Sequence, residues 1–457
     1  MGHGPLLASG VFCLCGGVLA AQDADGESPS AEALADLTEG LVEEDEGFPL
    51  HGYVSMRYRG RWGGNDADHD VYQVLALDFG DAKRFPITGH VMTQLSWDVD
   101  GDTDADGEFA FFSLSDTYGS RLTGRLYHAY ADFHDFAPLE TLRIGRQLIY
   151  DTPEVAWFDG LRVESGAGSR RRVKYGAYAG IPVHPYESSP EGDAVFGLYG
   201  EGRPWKGGRV RFDWMHFDDE NLNGDHDDDL FAGSVWQEVG KGTSVEASHT
   251  RLEGDPRDVK LAMRHFDLEG DLTFEVSYYE LVRTQKDQSL QLDPFFSTLF
   301  EYFPFHQVGV LASKGIGDDL IVQAGADLRR VEDEDDVGAF NRDFERYFLI
   351  TTFDDLPHDL SLALTGETWK SAGSDIDSWG VDVSRDFGEE MTASLGTYYS
   401  LFKYNYYLDE ERDHVQTYFA NVRLKKGGSV SFDVRYEFED NDFDEFHVLR
   451  LGATWRF

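Results

Sequence analysis

The closing stretch Phe446–Phe457, FHVLRLGATWRF, decides how the chain is read. Successive side chains of an extended strand point to opposite sides. Leu449, Leu451, Ala453, Trp455 and Phe457 therefore share one face, and Arg450, Gly452, Thr454 and Arg456 share the other. One face suits water and the other an apolar solvent. The same period of two recurs upstream. In Gly52–Arg61, Gly52, Val54, Met56 and Tyr58 alternate with Tyr53, Ser55, Arg57, Arg59 and Arg61. Leu272–Tyr279, Leu320–Arg329 and Val430–Glu437 repeat it, and from about Pro49 onward no long helical period interrupts.

Two-faced strands whose apolar face never meets a covering layer need lipid, and only a closed barrel leaves no unpaired backbone there. A solenoid or propeller would show a fixed repeat, and none is present. The connectors alternate in kind. Short ones rich in Gly, Lys or paired acids lie at 80–85, 203–208, 239–243, 314–319, 386–391 and 425–429. Longer acidic ones lie at 98–109, 218–229, 284–303, 331–343 and 408–413. Sorting by length is a mark of outer-membrane barrels. The expectation is an all-β fold, a transmembrane antiparallel β-barrel of about 22 strands, with 18 to 22 as the range. An even number puts both ends, the short turns beside them, on the periplasmic side.

Composition agrees. The 457 residues hold 85 Asp and Glu against 40 Lys and Arg, a net charge of −45, which excludes a nucleic-acid partner. The apolar start, GPLLASGVFCLCGGVLAAQ, predicts a secretory signal over residues 1–21, although no Lys or Arg precedes its apolar run. The only cysteines, Cys13 and Cys15, fall inside it, so the segment beyond has no disulfide, thiolate ligand or cysteine nucleophile. Residues 22–48 read as an acidic periplasmic segment, either a short helix over Ala31–Val42 capped by Ser30 or a linker. The barrel is expected over 49–457.

Two motifs stand out near the middle of the first half. A strand ends in Gly145-Arg146-Gln147, and after a short connector Phe158-Asp159-Gly160 opens the next. This pairing resembles the alginate-export porin family and related broad porins. The opening Arg57-Tyr58-Arg59 strand and the terminal Phe457 fit the same resemblance, and the connector here is shorter than that family shows. The terminal strand is also similar to the one that the barrel assembly machinery recognises, which assigns Trp455 and Phe457 to an assembly signal. The resemblance implies an outer-membrane channel with a charged interior.

Arg146 shares parity with Leu142, Ile144 and Leu148, which places it on the apolar side. An arginine facing lipid near mid-membrane costs about 2–4 kcal/mol. Arg146 is therefore expected near the rim or on a bulged strand, and Asp159 is its natural partner, either as a structural pair locking two strands or as part of a lumen ladder. Parity assigns the pore lining to Arg57, Arg59, Arg61, Arg143, Arg162, Arg209, Arg211, Arg264, Arg329, Arg423, Arg435 and Arg450, opposed by Asp213, Glu275, Asp327, Glu367, Asp433 and Glu437. Arginine outnumbers acid in these segments, and arginine rings are what anion pores use.

Other chemistry is weaker. Asp102, Asp104, Asp106 and Gly107 resemble the start of a calcium loop, but its twelfth position is Ser113 where a bidentate acid is required. Loose Ca²⁺ or Mg²⁺ at acidic loops is the expectation, with no dedicated metal and no cofactor. The histidines at 128, 216, 249, 265, 306 and 447 form no nucleophile or zinc motif. The functional expectation is a porin-like outer-membrane channel, no enzyme, passing hydrophilic and chiefly anionic solutes, a polyuronate among them, by diffusion or export. Its partners are outer-membrane lipid, the assembly machinery and the solute. The alternative is a barrel hydrolase of lipase or protease type.

Overall fold

The computed structural model describes residues 49–63, 66–100, 120–135, 139–150, 152–166, 173–183, 192–221, 224–283, 303–333, 343–371, 375–405, 410–442 and 445–457. Pro49–Phe457 forms one compact unit. The proposed signal, the 22–48 segment and the calcium-like loop at 102–113 lie outside the described residues.

Twenty-two strands follow one another in chain order. The first six are β1 (Leu50–Gly63), β2 (Asp66–Phe79), β3 (Ile87–Asp98), β4 (Leu122–His134), β5 (Thr141–Ile149) and β6 (Ala156–Glu164). Next come β7 (Val173–Pro182), β8 (Ala194–Gly202), β9 (Gly208–Asn221), β10 (Gly224–Gly240), β11 (Thr243–Leu252) and β12 (Asp255–Asp267). Then follow β13 (Leu272–Leu281), β14 (Phe305–Ile316), β15 (Leu320–Val331), β16 (Phe344–Leu356) and β17 (Leu360–Ser371). The last are β18 (Asp375–Phe387), β19 (Met391–Asn405), β20 (Glu410–Lys426), β21 (Val430–Asp440) and β22 (Glu445–Arg456). Each pairs antiparallel with its sequence neighbours, and β22 pairs with β1, which closes the sheet into a barrel. At the seam Gly52 and Phe457 exchange backbone hydrogen bonds, 2.9 Å from the Gly52 N–H to the Phe457 carbonyl and 3.0 Å in return.

Closure removes every sheet edge, so each strand satisfies its backbone on both sides. Alternation then sorts side chains into two faces. Leu95, Leu122, Ile144, Leu161, Phe212, Leu261, Leu349, Leu395 and Leu451 project from the outer face and are exposed. Ser55, Asp68, Asp70, Gln147, Phe158 and Asp258 lie on the inner face and are buried.

The short connectors at 80–86, 203–207, 241–242, 317–319, 388–390 and 427–429 all lie at the end where the chain enters β1 and leaves β22. Length sorts the opposite end less cleanly than the sequence suggests. There β11 and β12 are joined by Glu253 and Gly254 alone, both at positive φ, 50° and 83°. The acidic stretch 218–229, expected as a loop, is mostly strand: β9 and β10 pair out to Asn221 and Gly224. Residues 410–413 of the expected 408–413 connector likewise belong to β20. Asp218 stands opposite the first residue of β8, so the β9–β10 hairpin continues past that neighbouring strand.

Candidate functional site: the inner face of the barrel

Register places all twelve parity-assigned arginines on the inner face. On β1, Arg57, Arg59 and Arg61 stand opposite Tyr72, Asp70 and Asp68 of β2. Arg59 also faces Arg450 on β22, and Arg450 faces Arg435 on β21, so three guanidinium groups lie in one row across three strands. Arg423 stands opposite Asp433 one row away. The remaining six are distributed round the wall: Arg143 opposite Arg162, Arg211 opposite Ser234, Arg209 opposite Trp236, Arg264 opposite Glu275 and Arg329 opposite Gln307.

Most are tied to carboxylates. Arg143 donates from Nε and Nη2 to both oxygens of Asp132 at 2.7 and 2.8 Å, with its guanidinium 3.7 Å from the Tyr130 ring centre. Arg211 pairs with Asp213 at 2.7 Å, and Arg162 with Glu164 at 2.9 Å. Arg61 pairs with Asp68 and Arg59 with Asp70. Arg329 donates to the Gln307 amide oxygen at 3.0 Å and lies 4.0 Å from the Phe305 ring centre.

The count of arginine over acid does not hold for the whole inner face. Asp68, Asp70, Asp98 and Asp132, on strands whose parity the sequence left unphased, also face inward, as does Asp258 beside the bulge of β12. Between Asp70 and the arginines of β21 and β22 the signs differ in exposure. Asp70 is 1 % exposed, whereas the side chains of Arg435 and Arg450 are 47 % and 46 % exposed. Around β20, β21, β22 and β1 the acids are withdrawn and the guanidinium groups meet the lumen.

The opposite arc is packed. Ile149, Ala156, Phe158, Tyr178, Val195, Met215, Phe217, Leu230 and Leu252 form one buried cluster on the inner side of β5 to β11. A chord between distant parts of the chain lies beside it. Arg257 on β12 donates to Glu154, in the connector between β5 and β6, and to Asp258 at 2.6 Å. Six strands, β6 to β11, lie between these partners along the chain, so the link ties the β5–β6 connector to a distant part of the wall. Arg257 is the extra residue of a bulge, since Thr250 pairs with Asp258 and Arg251 with Pro256. A bulge aims two consecutive side chains to one side, and Arg257 and Asp258 are both buried. Strict alternation cannot find Arg257. It also misses Arg346, which forks to Asp327 at 3.2 Å and Glu367 at 3.1 Å, because both faces of its strand mix apolar and charged residues.

Arg146 and Asp159 are on the outer face. They stand opposite each other on β5 and β6 and form two parallel hydrogen bonds of 2.8 and 2.7 Å, and Arg146 also donates to the Leu126 carbonyl at 3.1 Å. The lumen-ladder reading of this pair is therefore corrected, and so is the expectation of a rim position or a bulge: β5 pairs without a register shift, Arg146 is the sixth of its nine residues, and it keeps the phase of Leu142 and Ile144. The motif glycines lie inside, where Gly145 faces Gly160 and Gly160 faces Gly180. Gly145 has φ +126° and a Cβ there would sit 2.1 Å from the Ala129 carbonyl oxygen.

His216, His249, His265, His306 and His447 share outer-face parity and His128 faces inward. Among the described residues no group of three His, Cys, Asp or Glu is placed to hold a metal. Trp455 and Phe457 project outward with their ring centres 4.9 Å apart.

No protein-family model matches the chain, and no curated protein matches it. Among solved structures it is similar to Pseudomonas aeruginosa OccK3 (OpdO), at 11 % identity and a TM-score of 0.43 over 89 % of this chain and 95 % of that one. It is similar to Acinetobacter baumannii OccAB4 at 12 % identity and a TM-score of 0.44, over 89 % and 97 %. A BenF-like porin from Pseudomonas fluorescens Pf-5 gives 10 % identity and 0.44 over 90 % and 99 %.

Proposed function

We propose that the chain is an outer-membrane channel that passes hydrophilic solutes and favours anions. The observation that carries this is the division of charge between the two faces of a closed barrel. The inner face is lined with arginine and acid, while the outer face is apolar along its strands, as a wall between lipid and water requires. No reaction is assigned to it.

Anion preference rests on exposure. Solute passes where water is, along β20, β21, β22 and β1, because the arc from β5 to β11 is packed. On that wall Arg435 and Arg450 are exposed and the neighbouring Asp68 and Asp70 are buried behind arginines. A carboxylate-bearing solute finds a column of guanidinium groups suited to paired hydrogen bonds. A linear polyuronate is the finer reading, supported by the Gly145-Arg146-Gln147 and Phe158-Asp159-Gly160 motifs and by the length of the column.

Liposome swelling and planar-bilayer recording test the reading. Purified barrel should admit small sugars and acids and show a reversal potential of anion sign. Closed bilayers with ester or peptide hydrolysis would replace it with the hydrolase alternative.

A further inference from the structure

The outer face is free of charge along its strands with one exception. Among the side chains described, every ionised outward residue other than Arg146 and Asp159 lies near a strand end or on the part of the β9–β10 hairpin at or beyond the neighbouring strand ends. Arg330, Glu345 and Lys370 are each second from the end of their strands, and Lys314 and Arg385 third. Arg146 is instead sixth of nine residues in β5, and Asp159 fourth of nine in β6. A strand needs about 9–11 residues to cross the hydrocarbon core. These two strands are no longer than that, so the pair stands at mid-depth.

Its surroundings remain open. Ile144, Leu161 and Ile181 beside it are 42 %, 48 % and 54 % exposed. Ala129 stands opposite Arg146 on β4, Ile181 stands opposite Asp159 on β7, and the next two outward rows of β7 are the small Ala179 and Ala177, opposite Leu161 and Val163. Behind the wall the inner side is backed by the buried Phe158 and Tyr178, so the surface is stiff.

We propose that this wall, from β4 to β7, packs against a second copy of the barrel. The proposal rests on the outer-membrane reading above. Hydrocarbon offers an ion pair no further partner, and the rest of the outer face excludes charge at this height. A second copy offers one. The patch carries both signs side by side, so a symmetry axis through it sets Arg146 of one protomer against Asp159 of its partner. The charges complement themselves, and the alanines let the two walls approach closely. Lipid is the competing occupant and is an outcome of the test.

Cysteine cross-linking reads this directly, because the barrel segment contains no cysteine. In outer membranes from cells making the full chain, Ala179→Cys should oxidise to a band of twice the chain's mass. Leu364→Cys, exposed on the far wall, should stay monomeric. Ala177→Trp, which wedges the walls apart and leaves the ion pair intact, should reduce the Ala179→Cys product at least fivefold in folded, heat-modifiable barrel. Equal cross-linking at both positions, or none at Ala179→Cys in folded barrel, overturns the proposal and leaves the wall to lipid. Failure of the channel reading would appear separately, as folded wild-type protein that does not conduct.

Discussion

Arg435 and Arg450 owe their importance to the side chains around them. Each reaches Glu437, at 2.6 and 2.8 Å, so one carboxylate is shared by two guanidinium groups that keep nearly half their surface in the lumen. Replacing both with Ala should lower the entry rate of a dicarboxylate roughly tenfold at low salt, the scale on which charge-lined clefts concentrate ions. Current noise with and without solute measures it, and an unchanged rate counts against a basic path. Arg146 and Asp159 invite a double-mutant cycle on barrel unfolding. Each single Ala variant should destabilise by leaving one charge against apolar surface, and the coupling should be about 0.5–3 kcal/mol. Additive losses would show that the pair does no more than coexist. At this scale the sequence was legible where alternation is unbroken, which is why the arginines of β1, β21 and β22 could be placed. It failed at Arg257 and Arg125, since register shifts in β12 and β4 change the phase, and no residue type announces them.

Among the elements, the terminal strand and its seam carry the clearest consequence. Phe457 holds Gly52 through two backbone hydrogen bonds and sets its ring at a tilt against Trp455 on the outer face. Deleting Phe457, or changing it to Ala, should reduce folded barrel in outer-membrane fractions, read by heat-modifiable migration on gels. Undiminished yield would remove it from assembly. Gly145→Ala should act in the same direction, because its Cβ meets the Ala129 carbonyl oxygen across the ladder, where backbone cannot move aside. Strand number and sense were readable from period and turn chemistry. Strand ends were not, because Asp-rich runs such as 227–229 look like loops by composition and yet pair, held by a hairpin that leaves the neighbouring strands.

For the whole molecule, the packed arc and the chord from Glu154 to Arg257 occupy interior space. Arg257 is 5 % exposed and its partner Asp258 1 %. Arg257→Ala strands a buried carboxylate and should destabilise the folded barrel by about 3–5 kcal/mol. Glu154→Gln keeps the shape, weakens the chord and should raise single-channel conductance. Equal conductance would mean that the chord does not border the water path. Reversal potentials across a salt gradient should give anion selectivity that strengthens as salt rises, since the acidic hairpins at the mouth are screened first. A cation preference persisting at high salt would reject both the anion reading and a polyuronate solute.

The asymmetry of the interior has an electrical consequence. Field lines from a charge spread freely in water but avoid a medium of low permittivity. The buried cluster from Ile149 to Leu252 is such a medium, on the inner side of β5 to β11. The field of Arg435 and Arg450 is therefore confined to the remaining water, so a tube built on 22 strands acts on a passing ion as a much narrower conduit would.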